Sequence, residues 1–279
     1  MIAAPADLPV LTAMDRARFV SEIVPAGRPV VFRGLAADWP LVQTRDLSAC
    51  LRPFDAGRPV NAFAGPPGMG GRFFYSDDLK GFNFDRVQLS LTALLDRLAR
   101  GGDDFVYAGA IPARTHLPGL AEANPMPLLD PAKERLTSLW LGNRTITAAH
   151  WDLAQNLACV VAGRRRFTLF PPDQVGNLYV GPLDHTLAGQ PVSLVDFDRP
   201  DLYAHPRFAE AMAHAMSADL EPGDVIYIPS LWWHHVRSLD DFGALLNVWW
   251  RDGPDYMVTP MFTLWHAMLT LRDLPANER

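Results

Sequence analysis

The sequence predicts a mainly β protein with flanking helices, its strands wound as a sandwich or barrel of jelly-roll type. Three observations carry this. From about residue 135 onward, short strand-like runs follow one another with turn residues between them. Pro222, Gly223 and Asp224 make a tight turn directly ahead of the apolar run 225–228, the pattern of a jelly-roll hairpin. Helical spacing gathers in the first hundred residues and at the C-terminal end, apart from one short stretch. At 279 residues, 49% of them hydrophobic, the chain can bury one large β-rich core or two small ones.

Taken in order, Thr12 to Asp15 has the form of a capping box and opens a helix to about Ile23. Residues 29–33 read as a short buried strand closed by Gly34, and 47–51 as a short helix. Strands at 60–64 and 73–75 flank the Gly/Pro-rich turn 65–71. Leu91, Leu94, Leu95 and Leu98 recur at helical spacing, so a helix is expected over 87–98, stopped by Gly101 and Gly102. Strands are expected at 105–108, 136–141, 145–149, 156–162 and 166–170. The stretch 171–206 is long for a loop in a compact domain, which points to function or to hidden structure. A helix over 208–216 precedes strands at 225–228, 232–237 and 244–250. Met261, Leu264, Trp265, Met268 and Leu271 share one side of a C-terminal helix over 257–271. The whole reads as a single domain over 1–256 with helical N-terminal decoration, followed by a C-terminal segment, 257–279. The apolar side of the last helix suits packing on the parent domain or a homodimer contact.

Composition excludes several classes. A net charge of −6 argues against nucleic acid as a partner. Cys50 and Cys159 form no C-x-x-C pair, so neither a thiolate metal site nor a disulfide framework is expected. No run approaches eighteen apolar residues, so no membrane span is expected. Residues 1–10 lack a basic start followed by an apolar stretch, so no signal peptide is expected and a cytoplasmic location follows.

His150 and Asp152 stand two apart at the end of an expected strand, so both side chains point to one face. Such a pair alone is weak evidence. The run 229–235 ends in His234 and His235, and the turn at 222–224 brings it back toward the same end of the barrel. Two imidazoles and one carboxylate on one side of an ion leave open positions, an arrangement suited to non-haem Fe(II) in oxygenases. His234 and His235 point to opposite faces of a strand, so one of them is the ligand, and alternation does not say which.

With these residues goes an ordered set of further motifs: Thr147 ahead of His150, then Gln155 and Asn156, 163–174, Leu178 and Tyr179, 195–198, and Asn247, Val248 and Trp249. Together they resemble the JmjC-type, cupin-8-like oxygenases, the asparaginyl hydroxylases among them. The likeness runs through residues 105–250 and is only general before that. It implies a double-stranded β-helix of cupin/JmjC type and Fe(II) and 2-oxoglutarate as cofactors. It also implies that the histidine directly after the tryptophan, His234, completes the metal set with His150 and Asp152. These three are then the catalytic centre. Relatives hold the far carboxylate of 2-oxoglutarate with a lysine two residues after the glycine. Here that position is Arg165, a departure that keeps the charge and adds a bidentate fork. Thr147 and Tyr107 match hydroxyl positions on the same carboxylate. Asn156 and Asn247 match polar positions near its metal-binding end, and Trp249 is placed to wall the pocket.

The implied reaction couples oxidative decarboxylation of 2-oxoglutarate to hydroxylation of a C–H bond. A side chain of a protein or peptide is the expected substrate, with a small amino acid or natural product as the alternative. A non-oxidative metal-binding cupin is the competing class. His116, His185, His205, His214 and His266 read as structural, and Asp196 and Asp198 as turn or cap residues.

Overall fold

The computed structural model describes residues 2–132, 135–251, 266–267 and 274–278. Among them fifteen strands form two sheets. In chain order these are β1 (Ala6–Asp7), β2 (Val10–Leu11), β3 (Val30–Phe32), β4 (Val60–Gly65), β5 (Arg72–Phe73), β6 (Asp85–Leu89), β7 (Phe105–Pro112) and β8 (Leu136–Gly142). There follow β9 (Ile146–His150), β10 (Gln155–Ala162), β11 (Arg165–Phe170), β12 (Met216–Leu220), β13 (Val225–Ile228), β14 (Trp233–Ser238) and β15 (Gly243–Trp250). The smaller sheet runs β1-β12-β11-β14-β9-β5 and the larger β2-β3-β13-β10-β15-β8-β7-β4-β6. The eight strands from β8 to β15 divide four to each sheet, and every pairing of one of these eight with another is antiparallel. That is the jelly roll the turn and strand pattern predicts.

Alternation decides what each strand buries. On β10, Ala158 and Val160 face the smaller sheet and meet Phe167, Leu169 and Val236. The residues between them, Leu157, Cys159 and Val161, face the other way and pack with Phe19, Leu41, Leu51, Leu91 and Leu94 of the helical decoration. A strand covered on both faces carries a near-continuous apolar run, and 157–161 is one. Phe19 is wholly buried, and burying a side chain of that size stabilises the fold by roughly 2–3 kcal/mol.

The boundaries differ from expectation in places where a local cap or a pairing partner decides. Thr12 does not cap the first helical segment; Asp15 does, accepting from the Arg18 amide at 2.8 Å. The helix expected over 87–98 is instead Leu91–Arg100, capped by Ser90, and the residues before it form β6, which pairs with β4. The helix expected over 208–216 stops at Ala213, and Met216 already belongs to β12. The expected C-terminal helix lies largely outside the described residues, of which 266–267 are helical. The long stretch after β11 does hold structure. Leu178, Val195, Phe208 and Ala211 pack with Phe170 and Trp233 over the outer face of the smaller sheet, which would otherwise meet water.

Candidate metal centre

His150 ends β9 and His234 lies near the start of β14, and the two are direct partners across the ladder. Their rings are 4.2 Å apart. Asp152 follows two residues after His150, and its carboxylate lies 3.7 Å from His234 Nε2. One ligand atom from each of the three falls within 4.8 Å of the others, so the set can share one ion. Among the described residues no other group of three such side chains converges in this way.

The protonation pattern suits a metal. His150 Nδ1 lies 2.9 Å from the Ala148 carbonyl, and His234 Nδ1 lies 3.0 Å from the Trp232 carbonyl. A carbonyl only accepts, so each Nδ1 carries the proton and each Nε2 keeps its lone pair. Burial, and the neighbouring His150, push the His234 pKa down to about 4, so that ring is neutral at ordinary pH. His235 points to the opposite face. It stacks on Phe197 with centroids 4.6 Å apart, and burial and Arg237 push its pKa to about 3. The structure thus separates the two histidines that alternation leaves equivalent.

Thr147 joins the same inner face by a break in alternation. Across β9 and β14, His234 pairs with His150 but Val236 pairs with Thr147. Two steps on β14 oppose three on β9, so β9 carries a bulge. The extra residue brings Thr147, three before His150, onto the face that His150 occupies.

Below the metal group the inner face turns polar. Arg165 is 3% exposed, and its Nε and Nη2 have no hydrogen-bond partner. Burial lowers its pKa, and the one opposing influence comes from Tyr107. An arginine stays charged, so this is a buried cation with no carboxylate beside it among the described residues. The Tyr107 phenol is buried, which raises its pKa, while Arg165 and a hydrogen bond with Thr147 act the other way. Tyr107, Thr147 and Arg165 are therefore neighbours. Asn156 and Asn247 are buried on the neighbouring strands β10 and β15, Asn156 opposite Trp249 and Asn247 opposite Ala158. The Asn247 oxygen accepts from Trp140 Nε1 at 2.6 Å, and its amide reaches the Asn156 oxygen at 3.4 Å. Trp249 meets Trp140 edge to face at 5.7 Å, and its indole N–H is buried without a partner.

Trp140 escapes the sequence reading. Its signal is alternation in β8, which puts Ser138 and Trp140 on the inner face opposite Asn247 and Leu245. His185 stacks on Phe82 at 4.6 Å and His205 lies against Tyr179, and neither belongs to the metal group. Asp198 pairs with Arg237, and the Asp196 carboxylate accepts from the Asp198 amide at 2.9 Å.

Comparison with known proteins agrees with this geometry. The cupin-like domain family matches residues 16–256. Zebrafish (Danio rerio) tRNA wybutosine-synthesizing protein 5 is 29% identical over 271 residues, covering 89% of this chain and 76% of that protein. Human HSPB1-associated protein 1 is 35% identical over 125 residues, covering 43% of this chain and 25% of that protein. Lysine-specific demethylase JMJ31 of Arabidopsis thaliana is 32% identical over 106 residues, 38% of this chain and 19% of that protein. The asparaginyl hydroxylases are thus not singled out within the family. A relative named for tRNA also weakens the exclusion of nucleic acid, which rests on net charge alone.

Proposed function

Given that the chain belongs to the cupin-like (JmjC-type) domain family, we propose that it is an Fe(II)- and 2-oxoglutarate-dependent oxygenase that hydroxylates its substrate. The observation that carries this is the pairing, inside one barrel, of a His–Asp–His group with a buried guanidinium that lacks an anion among the described residues. A non-oxidative cupin needs the first and has no use for the second.

The residues fit both groups. His150 and His234 offer Nε2 lone pairs and Asp152 a carboxylate, a donor set suited to Fe(II). Arg165 would hold the far carboxylate of 2-oxoglutarate, with the Thr147 and Tyr107 hydroxyls beside it. Iron with the 2-oxo acid supplies the oxidising power for placing oxygen on a C–H bond. The chain's own residues do the rest. The Ala148 and Trp232 carbonyls hold the two imidazoles in one tautomer and orientation. The bond from Trp140 fixes Asn247, so its amide presents a constant face to the pocket. The aliphatic layer of Ala158, Val160, Leu169 and Val236 keeps bulk water from entering behind the site.

A side chain of a protein or peptide is the substrate this reading favours, asparagine hydroxylation being one such reaction. A tRNA nucleoside is the second reading, favoured by the match to a tRNA wybutosine-synthesizing protein along 89% of the chain. Succinate release from metal-loaded protein, measured with a peptide pool and with unfractionated tRNA, tells them apart. Stimulation by peptides alone supports the first and by tRNA alone the second. Wild type that binds iron yet yields no succinate with or without either addition contradicts the oxygenase reading.

A further inference from the structure

We propose that Leu231 and Leu153 form a clamp at the mouth of the barrel that seats an apolar side chain of a polypeptide substrate, close to the residue that is hydroxylated. This rests on the oxygenase reading above and names what the site selects in its substrate. The loops 151–154 and 229–232 join β9 to β10 and β13 to β14, at the end of the barrel that holds His150, Asp152 and His234. The two loops are tied together. The Leu231 amide donates to the Asp152 carbonyl at 2.8 Å, and the Ser230 hydroxyl donates to the Leu153 carbonyl at 2.9 Å. Each loop carries one leucine, Leu153 directly after a metal ligand and Leu231 bonded to that ligand's backbone.

Packing does not explain these leucines. Leu153 is 40% exposed and Leu231 43%, and neither joins an apolar cluster of the core among the described residues. Leu136, also exposed, starts β8 at the same end, opposite Trp249 near the end of β15. Apolar residues exposed singly are ordinary, but three at one end of a barrel make a patch, and such patches mark contact sites. Leu231 also stands in a costly conformation. Its φ is +67°, in the left-handed region that favours glycine. Glycine would hold the same turn and the same bond to Asp152 without strain. Strain of this kind gathers at ligand clamps, where the side chain has a use that packing does not supply. The patch adjoins the metal group, where the substrate has to come. The loops also favour one kind of substrate. Residues 151–155 and 229–232 hold no lysine or arginine, whereas a nucleic-acid strand is gripped by cations along its phosphates. Two leucines suit an aliphatic or aromatic side chain of a peptide, which is buried as it binds.

The test uses two fluorescently labelled peptide pools of equal length and net charge. One carries leucine, isoleucine, valine or phenylalanine on either side of a randomised centre, the other serine, threonine, asparagine or glutamine. Binding to metal-loaded protein with 2-oxoglutarate and without oxygen is followed by anisotropy. Wild type is compared with Leu231→Gly, Leu231→Met, Leu153→Ser and, as control, Leu79→Gly. Leu79 is another exposed leucine at positive φ, but it lies in the turn 76–81. Wild type should prefer the apolar pool. Leu231→Gly and Leu153→Ser should each weaken that pool about fivefold, the effect of leaving the exposed half of a leucine in water. Binding of the polar pool should not change. Leu231→Met should retain most of the preference, and Leu79→Gly all of it. Leu231→Gly should melt no lower than wild type, which a merely structural role would not allow. Equal affinity of wild type for both pools, or binding of neither, would overturn the proposal and leave the oxygenase reading standing on its succinate assay. A preference that survives Leu231→Gly, or one lost equally in Leu79→Gly, would overturn it too. Binding of unfractionated tRNA that weakens in Leu231→Gly, with no binding of the apolar pool, would overturn it in favour of a nucleobase. A preference that behaves as expected in a protein yielding no succinate would overturn the oxygenase reading alone.

Discussion

Asp152, His234 and Arg165 are three residues whose surroundings make little sense for stability alone. Asp152 is the sole carboxylate of the metal group. Asp152→Ala should abolish the rise in melting temperature that added divalent metal produces. Arg165 is a buried charge whose Nε and Nη2 have no partner among the described residues, and such charges cost stability. Arg165→Met, similar in volume, should raise the stability of the metal-free protein by about 1–3 kcal/mol in urea unfolding. The same change should weaken 2-oxoglutarate at least a hundredfold, so stability and binding move in opposite directions. The histidines give a pH dependence. The folded state keeps His234 and His235 neutral, their pKa values lowered to about 4 and about 3. The unfolded chain takes up those protons below about pH 6.5. Stability is therefore full above pH 6.5 and declines as the pH falls through about 4 and then 3. A melting temperature for the metal-free protein that stays flat from pH 7 to pH 4 would count against neutral, buried rings.

At the scale of the strand, the bulge in β9 is the feature that completes the pocket. Regular alternation from His150 places Ala148 and Ile146 on the inner face and Thr147 outside. The register instead sets Thr147 opposite Val236, an inner residue of β14. Thr147→Val should weaken 2-oxoglutarate about tenfold and leave metal affinity unchanged, as titration of each would show. The central strands were legible because each is a short apolar run bounded by turn residues, and Pro222 to Asp224 fixed one hairpin. β1, β2, β6 and β12 were not legible. The first two are two residues long, and they exist by pairing with β12 and β3. The apolar residues of β6 ran on into the helix that follows, and the Ser90 cap that parts them gave no pattern in the window. His150 and Asp152 could be read from spacing alone. His234 needed the family resemblance, and the structure gives the physical reason: His235 is taken by Phe197.

Across the whole molecule, the larger sheet is covered by the N-terminal helices and the smaller one by the stretch after β11. Phe197 ties that stretch down, touching Phe170, Phe208 and His235. Phe197→Ala should cost about 2–3 kcal/mol in urea unfolding and weaken metal binding as well, since His235 adjoins His234 on β14. Nothing local in 171–206 announced this cover, because its contacts are with strands distant in sequence. The proposed barrel joins an iron site to a 2-oxo acid site. That pairing is tested most directly by titrating the Fe(II)-loaded protein with 2-oxoglutarate in the absence of oxygen and following the weak visible charge-transfer band of chelation. The band should appear in wild type, fail to appear in His234→Ala, and need far more 2-oxoglutarate in Arg165→Met. Iron that is bound with no band at any concentration of 2-oxoglutarate would contradict the claim.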